Sequence, residues 1–262
     1  MKYYVVADVH GYYTQTKKAL KDAGFFDERE PCKLIVCGDL LDRGNEANQM
    51  IDFMLQLMNE DKLIYIYGNH EELLVQCLHE IVRDGTHKIA SGMSPHNSNK
   101  TWDTLLQISG MGEMEAYNNG EELVRRVRAS SFYKKLLPKC LDYYETENYI
   151  FTHGYIPFLC ESFRPLKNCK FNPKWREADR DDWRRARWVN GMELACKHRI
   201  TVRGKTVVCG HWHTSYGHAI INKKGTEFGK GAILTPFYAK GIIALDGCTA
   251  SSGMVNCIVI ED

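Results

Sequence analysis

The turn Gly38-Asp39-Leu40-Leu41-Asp42-Arg43-Gly44 carries two carboxylates and a guanidinium directly after the apolar run Lys33 to Cys37. Glycine tolerates backbone angles that other residues resist, so a sharp strand-to-loop turn can aim several polar groups at one point. Carboxylates held this close repel unless a positive charge lies beside them, and a metal ion supplies one. Taken alone, the heptapeptide reads equally well as a solvated acidic turn. Asp8, His10, Asn69, His153, His211 and His213 follow short apolar runs in the same manner. With Asp39 they make a mixed oxygen and imidazole set, suited to divalent manganese, iron or zinc rather than to soft ions. This set exceeds what one tetrahedral ion takes. Two divalent ions bridged by Asp39 are the economical reading, manganese favoured, and the water or hydroxide they hold is then the nucleophile of an in-line displacement. His70, beside Asn69, is placed to protonate a leaving oxygen. Asp42 would orient that imidazole, and Arg43 offers a fork to phosphoryl oxygens, so Arg43, Asn69 and His70 would face the substrate.

Those residues need elements that deliver them to one place. Tyr3 to Ala7 predicts a strand, Thr14 to Ala23 a helix stopped by Gly24, and Lys33 to Cys37 a second strand. Ala47 to Met58 has helical apolar spacing, Leu63 to Tyr67 predicts a third strand, and Glu72 to Arg83 another helix. This alternation implies a parallel sheet with helical crossovers. Asp8, Asp39 and Asn69 fall just past the three strands at intervals of about 30 residues. The carboxyl ends of strands are where open α/β sheets bind ligands.

From 85 to 137 the pattern changes. Ser91 to Asn99 is loop-like, and Trp102 to Ile108 and Glu121 to Ala129 read as short helices; the whole stretch is expected to form a helical cap at the substrate entrance. Leu141 to Glu145 and Tyr149 to Phe151 predict a hairpin. Residues 155–187 read as a surface excursion, in which the basic run Arg180 to Arg187 alternates with acids and so suits a solvated face. Val207 to Cys209, Ile242 to Gly247 and Val255 to Ile260 predict further strands.

A chain of 262 residues, 44% hydrophobic and 26% charged, has ample material for a layered core. Its net charge of +1 gives no field for nucleic acid or a membrane surface, so neither is expected as a partner. The ten cysteines include no C-x-x-C pair, which favours free thiols in a reducing cytoplasm. No apolar run approaches bilayer length, and because the N-terminus enters a strand directly no signal peptide is expected.

Read in order, Asp8-x-His10-Gly11, Gly38-Asp39-x-x-Asp42-Arg43-Gly44, Gly68-Asn69-His70-Glu71, His153-Gly154 and Gly210-His211-x-His213 resemble the motifs of the calcineurin-like metallophosphoesterases. The Asp-Arg-Gly and Asn-His-Glu forms are similar to those of the phosphoprotein phosphatase branch, with its bacterial and phage members and the symmetrical diadenosine tetraphosphatases. The resemblance implies an α/β (α+β) fold, a β-sandwich of two mixed sheets flanked by helices, here as one domain over 1–262. It also implies a first metal on Asp8, His10 and Asp39, and a second on Asp39, Asn69, His153 and His211. His213 completes a pattern that other branches use for an added first-metal ligand. Gly191 stands where the family's second phosphate-binding arginine is expected, with Arg187 or Arg164 as candidate replacements. Three functions are consistent: a serine/threonine-type protein phosphatase, a dinucleoside tetraphosphate hydrolase, and a non-catalytic scaffold. The first is the leading expectation, and the substrate is a phosphorylated protein or a small phosphoester.

Overall fold

A computed structural model describes residues 1–89 and 94–262. Strands β1 (Lys2–Val6), β2 (Cys32–Cys37) and β3 (Leu63–Ile66) run parallel, joined by helices α1 (Tyr13–Asp22) and α2 (Ala47–Asn59). Helix α3 (Asn69–Asp84) leaves β3, and α4 (Pro95–Ser98), α5 (Thr101–Ser109), α6 (Glu113–Asn118) and α7 (Gly120–Ala129) follow it. β4 (Tyr144–Glu145) and β5 (Tyr149–Phe151) form a hairpin. β6 (Phe158–Leu159), β7 (Ser162–Phe163), β8 (Leu166–Lys167) and β9 (Lys170–Phe171) make two short antiparallel ladders. Then come α8 (Arg180–Arg187), α9 (Gly191–Cys196), β10 (Thr206–Cys209), β11 (Phe237–Ala239), β12 (Ile242–Ala244), α10 (Thr249–Ser252) and β13 (Cys257–Glu261).

Two mixed sheets result, one ordered β13-β1-β2-β3 and the other β11-β12-β10-β5-β4. Alternation along each strand explains why both faces are apolar. Tyr3, Val5, Ile35, Ile64 and Ile66 point inward and meet Phe151 and Val208 of the second sheet. Tyr4, Val6, Leu34, Val36 and Tyr65 point outward into a layer made by α2, α3, α5 and α7. Ile150, Val207, Ile242 and Ala244 face a third cluster with Trp175 and Trp183. The sandwich is therefore helix, sheet, sheet, helix, and its parallel strands end on one shared edge.

Several sequence expectations shift. Helix α3 begins at Asn69 rather than Glu72, because the Glu71 carboxylate reaches back to accept from the Gly68 amide at 2.7 Å and so holds the first turn three residues earlier. Leu141 does not extend β4; it bridges Ile66, and its amide donates to the Tyr65 carbonyl at 2.9 Å. Of the expected 91–99 loop, residues 91–93 lie outside the described residues, and Pro95–Ser98 is helical. The rest of the 94–137 stretch buries Trp102, Leu105, Leu123 and Val127 against α2 and α3. The 155–187 stretch is only partly a surface excursion. Trp175 and Trp183 are buried, and Tyr143 stacks on Trp183 at 5.2 Å. Arg187, inside the basic run, is 7% exposed and ion-paired to Asp142 at 2.6 Å. All ten cysteines carry free thiols. No helix among the described residues is long and apolar enough to cross a membrane.

Candidate metal centre

The shared sheet edge delivers the polar residues. β1 leads to Asp8 and His10, β2 to Asp39, Asp42 and Arg43, β5 to His153 and β10 to His211, while the first turn of α3 supplies Asn69 and His70. Six of these residues, Asp8, His10, Asp39, Asp42, Arg43 and His211, have φ between 49° and 71°. A side-chain residue in that left-handed region costs about 1 kcal/mol or more, and such strain gathers at functional sites. Hydrogen bonds hold the strained turns against each other. The His10 amide donates to the Asp39 carbonyl at 2.9 Å, and the Gly44 amide donates to the His10 carbonyl at 2.8 Å. The His211 amide donates to the Asp8 carboxylate, at 3.0 and 2.9 Å to its two oxygens. Two glycines are required by space. A Cβ on Gly38 would lie 2.4 Å from His153 Nδ1, and one on Gly68 would lie 2.3 Å from Asp39 Oδ1.

Glu71 pins the Asp39 turn to α3. Its buried carboxylate accepts from the amides of Asp39 (3.0 Å), Leu40 (2.9 Å) and Gly68 (2.7 Å), and from the Tyr65 hydroxyl (2.7 Å). Every partner is a donor. Glu71→Gln therefore turns an amide NH2 toward donors and is expected to cost about 2–3 kcal/mol, measured as a lowered midpoint in denaturant unfolding.

The donors converge on Asp39, which is 2% exposed. His153 Nδ1 donates to the Cys37 carbonyl at 2.8 Å, which turns Nε2 toward Asn69 Oδ1 at 2.7 Å and Asp39 Oδ1 at 3.3 Å. His211 Nδ1 lies 2.8 Å from the same Asn69 oxygen. On the other side His10 Nδ1 donates to the Leu41 carbonyl at 3.1 Å, which leaves Nε2 facing Asp39 Oδ2 at 3.7 Å. Two triads, His10/Asp39/His70 and Asp39/His153/His211, each bring their ligand atoms within 4.8 Å of one another and share the carboxylate. Electron-rich atoms aimed at one another without protons between them are what a cation satisfies. Backbone carbonyls that fix the far nitrogens of His10 and His153 are the usual support for such ligands. The residues present fit divalent ions.

Electrostatics agrees. Burial, followed by His70, holds His10 well below the ordinary imidazole value, and burial with His153 lowers His211 to about 3. Both rings are thus neutral and available as ligands. Burial pushes the Asp8 carboxyl up, and the crowded carboxylates of Asp246 and Asp39 push it further. For Asp39 burial acts upward, yet His153, His70 and His10 pull it below the usual carboxylate range. The His70 amide, at the N-terminus of α3, also donates to Asp39 Oδ1 at 3.0 Å.

A second chain of contacts runs along the rim. His70 Nδ1 lies 2.8 Å from Asp42 Oδ2, and Arg43 Nη2 lies 3.2 Å from His70 Nε2. Asp42 Oδ2 also accepts from the Thr101 hydroxyl at 2.7 Å. Two expected residues sit apart from the triads. Asp8 holds the His211 backbone, and His213 turns its Nε2 to Glu227 at 3.2 Å, stacked beside Trp212. Thr101 was not readable from sequence. Thr101 belongs to a helix whose register on Asp42 no local motif encodes. Thr101→Val is expected to lower kcat about tenfold with KM nearly unchanged, because the residue acts only through Asp42.

The calcineurin-like phosphoesterase family model matches residues 1–215. The chain belongs to this family. Among curated relatives of this phosphoesterase, an asymmetrical bis(5'-nucleosyl)-tetraphosphatase of Anoxybacillus flavithermus is 34% identical over 76 residues, 27% of this chain and 31% of that protein. A symmetrical bis(5'-nucleosyl)-tetraphosphatase of Buchnera aphidicola is 33% identical over 75 residues, 29% of this chain and 26% of that protein. The chain thus spans about a third or less of the length of these relatives. A solved cold-active protein tyrosine phosphatase aligns over 99% of this chain and 73% of its own, with a TM-score of 0.55 and 17% identity, a likeness of fold alone.

Proposed function

We propose that this phosphoesterase works at a two-ion centre around Asp39, manganese preferred, and hydrolyses a dinucleoside tetraphosphate. The observation that carries the reading is the pair of donor triads sharing Asp39, with Asp42, His70 and Arg43 linked along their rim. Asp8, His10 and Asp39 would hold one ion and Asp39, Asn69, His153 and His211 the other, with His213 in reserve beside Glu227. When bound, the ions supply Lewis acidity and lower the pKa of water.

The chain's own residues do the rest. A guanidinium has only donors, so the Arg43 contact makes His70 Nε2 an acceptor and leaves the ring proton on Nδ1, toward Asp42. A phosphoryl oxygen reaching Arg43 draws the guanidinium off Nε2. Burial disfavours the imidazolium, but Asp39 and Asp42 outweigh it and raise His70, so Nε2 can then hold a proton for the leaving oxygen. Asp42, steadied by Thr101, keeps the ring aimed. Arg187 is committed to Asp142 and close to Glu72, which leaves Arg164 as the freer candidate for a second phosphate contact.

Two observations support a nucleotide over the phosphoprotein expected from motif form. The relatives matching the 75- to 76-residue stretches are tetraphosphatases. A groove of about 540 Å³ lies beside the centre, lined by Arg164, Arg184, Arg185, Phe163 and Trp188 together with Glu72 and Asp181, Arg184 being paired to Glu72 at 2.7 Å, and the Trp188 ring is 5.9 Å from His211. Arginines and aromatic rings suit the further phosphates and base of an extended leaving group. The Asp-Arg-Gly and Asn-His-Glu forms favour phosphoserine or phosphothreonine as the second reading. A scaffold would not need every ligand position filled, as they are here. Nucleotide products and phosphate are to be measured after Mn²⁺-supplemented incubation with diadenosine tetraphosphate and with a phosphoseryl peptide. Dinucleotide cleavage with the peptide untouched is expected; turnover of the peptide alone would move the substrate to proteins.

A further inference from the structure

The exposed hairpin beside the groove contains a pair of cysteines in register. β6 and β9 pair Phe158 with Phe171 and Leu159 with Lys170, while β7 and β8 pair Ser162 with Lys167 and Phe163 with Leu166. Both ladders keep one register, so the rungs between them set Cys160 opposite Cys169 and Glu161 opposite Asn168. At the second rung the Asn168 side-chain amide donates to the Glu161 carboxylate at 2.7 Å, while the Glu161 amide donates one residue along, to the Lys167 carbonyl at 3.1 Å, where Asn168 takes a left-handed φ of 52°. Directly opposed antiparallel residues have Cα atoms about 4.5–5.5 Å apart and side chains on one face. A disulfide accepts Cα separations of about 4.4–6.8 Å. Cys160 is exposed and Cys169 half-buried, whereas Cys37 and Cys209 are sealed in the core.

We infer that Cys160 and Cys169 are a site of reversible disulfide modification that pins the hairpin bordering the substrate groove. The loop closed by the bond carries Phe163 and Arg164, which line the groove together with Trp188. The oxidant is a small disulfide. One cysteine thiolate attacks it and releases one small thiol; the second thiolate attacks the mixed disulfide and releases the other. Two protein thiols become one disulfide, the small disulfide becomes two thiols, and the protons pass to the released thiolates. Burial raises both thiols, partly offset at Cys160 by Arg185, so exchange quickens as pH rises.

The full chain, reduced and then equilibrated with glutathione disulfide at mildly alkaline pH, is alkylated, digested and analysed by mass spectrometry. A fragment linking Cys160 to Cys169, lost on adding excess glutathione, is expected. Glutathione on Cys160 alone, or linkage to another cysteine, overturns the inference. The kinetic consequence rests on the phosphoesterase reading: linkage is expected to change KM for diadenosine tetraphosphate about threefold by fixing the groove wall, and Cys160→Ser and Cys169→Ser abolish that response. An equal response in Cys160→Ser overturns the pinning. A chain that links Cys160 to Cys169 and hydrolyses nothing supports the linkage and contradicts the function.

Discussion

Asp39→Asn is expected to lower kcat/KM by about a thousandfold or more while the fold is retained. The amide keeps the shape of the side chain, so the amide of His70 still finds an oxygen near 3.0 Å. What disappears is a charge that serves both triads. His153, His10 and His70 approach Asp39 at 3.3, 3.7 and 3.8 Å, and its carboxyl lies below the usual carboxylate range despite full burial. Each proposed ion loses an anionic ligand at the same stroke. Metal content measured after dialysis is therefore expected to fall for both ions together, not for one. Loss of activity with both ions retained would place the effect of Asp39 elsewhere.

His70→Ala has the next largest effect, a loss of about 10²–10⁴-fold in kcat on substrates with a poor leaving group. The signature is its dependence on that group. With p-nitrophenyl phosphate, whose leaving oxygen needs no proton, the loss is expected to shrink by at least about tenfold. A ring that served as a metal ligand would instead cost the same on every substrate. The geometry makes this distinction necessary, because His70 sits in a donor triad with His10 and Asp39 and also in the rim chain with Asp42 and Arg43. Side-by-side steady-state rates on the two substrates separate the roles.

The candidate site was legible in sequence wherever a polar residue follows an apolar strand. Asp8, Asp39, His153 and His211 all obey that rule, because parallel strands end on one edge and the residue beyond each end has nowhere else to point. Glu71 was visible as a letter of its motif, but its work required knowing that α3 begins at Asn69, and a glycine N-cap is a weak signal. Thr101 was invisible, since a helix packed in the outer layer meets Asp42 only through tertiary register. His213 has the same local spacing as a ligand, yet Glu227, fourteen residues on, folds back to take its Nε2. The basic run at 180–187 suited a solvated face, and its helix hides Trp183, Ala186 and Arg187 on one side. Charge alternation reports the exposed side of a helix and says little about the other.

The most direct measurement is a titration of the chelator-stripped chain with Mn²⁺, following bound metal and product release from diadenosine tetraphosphate and a phosphoseryl peptide together. Ion binding that saturates near two per chain, with turnover absent before metal and maximal at the second equivalent, is the predicted result. Full turnover in the stripped chain, or saturation at a single ion with full rate, would contradict a centre in which two ions share Asp39.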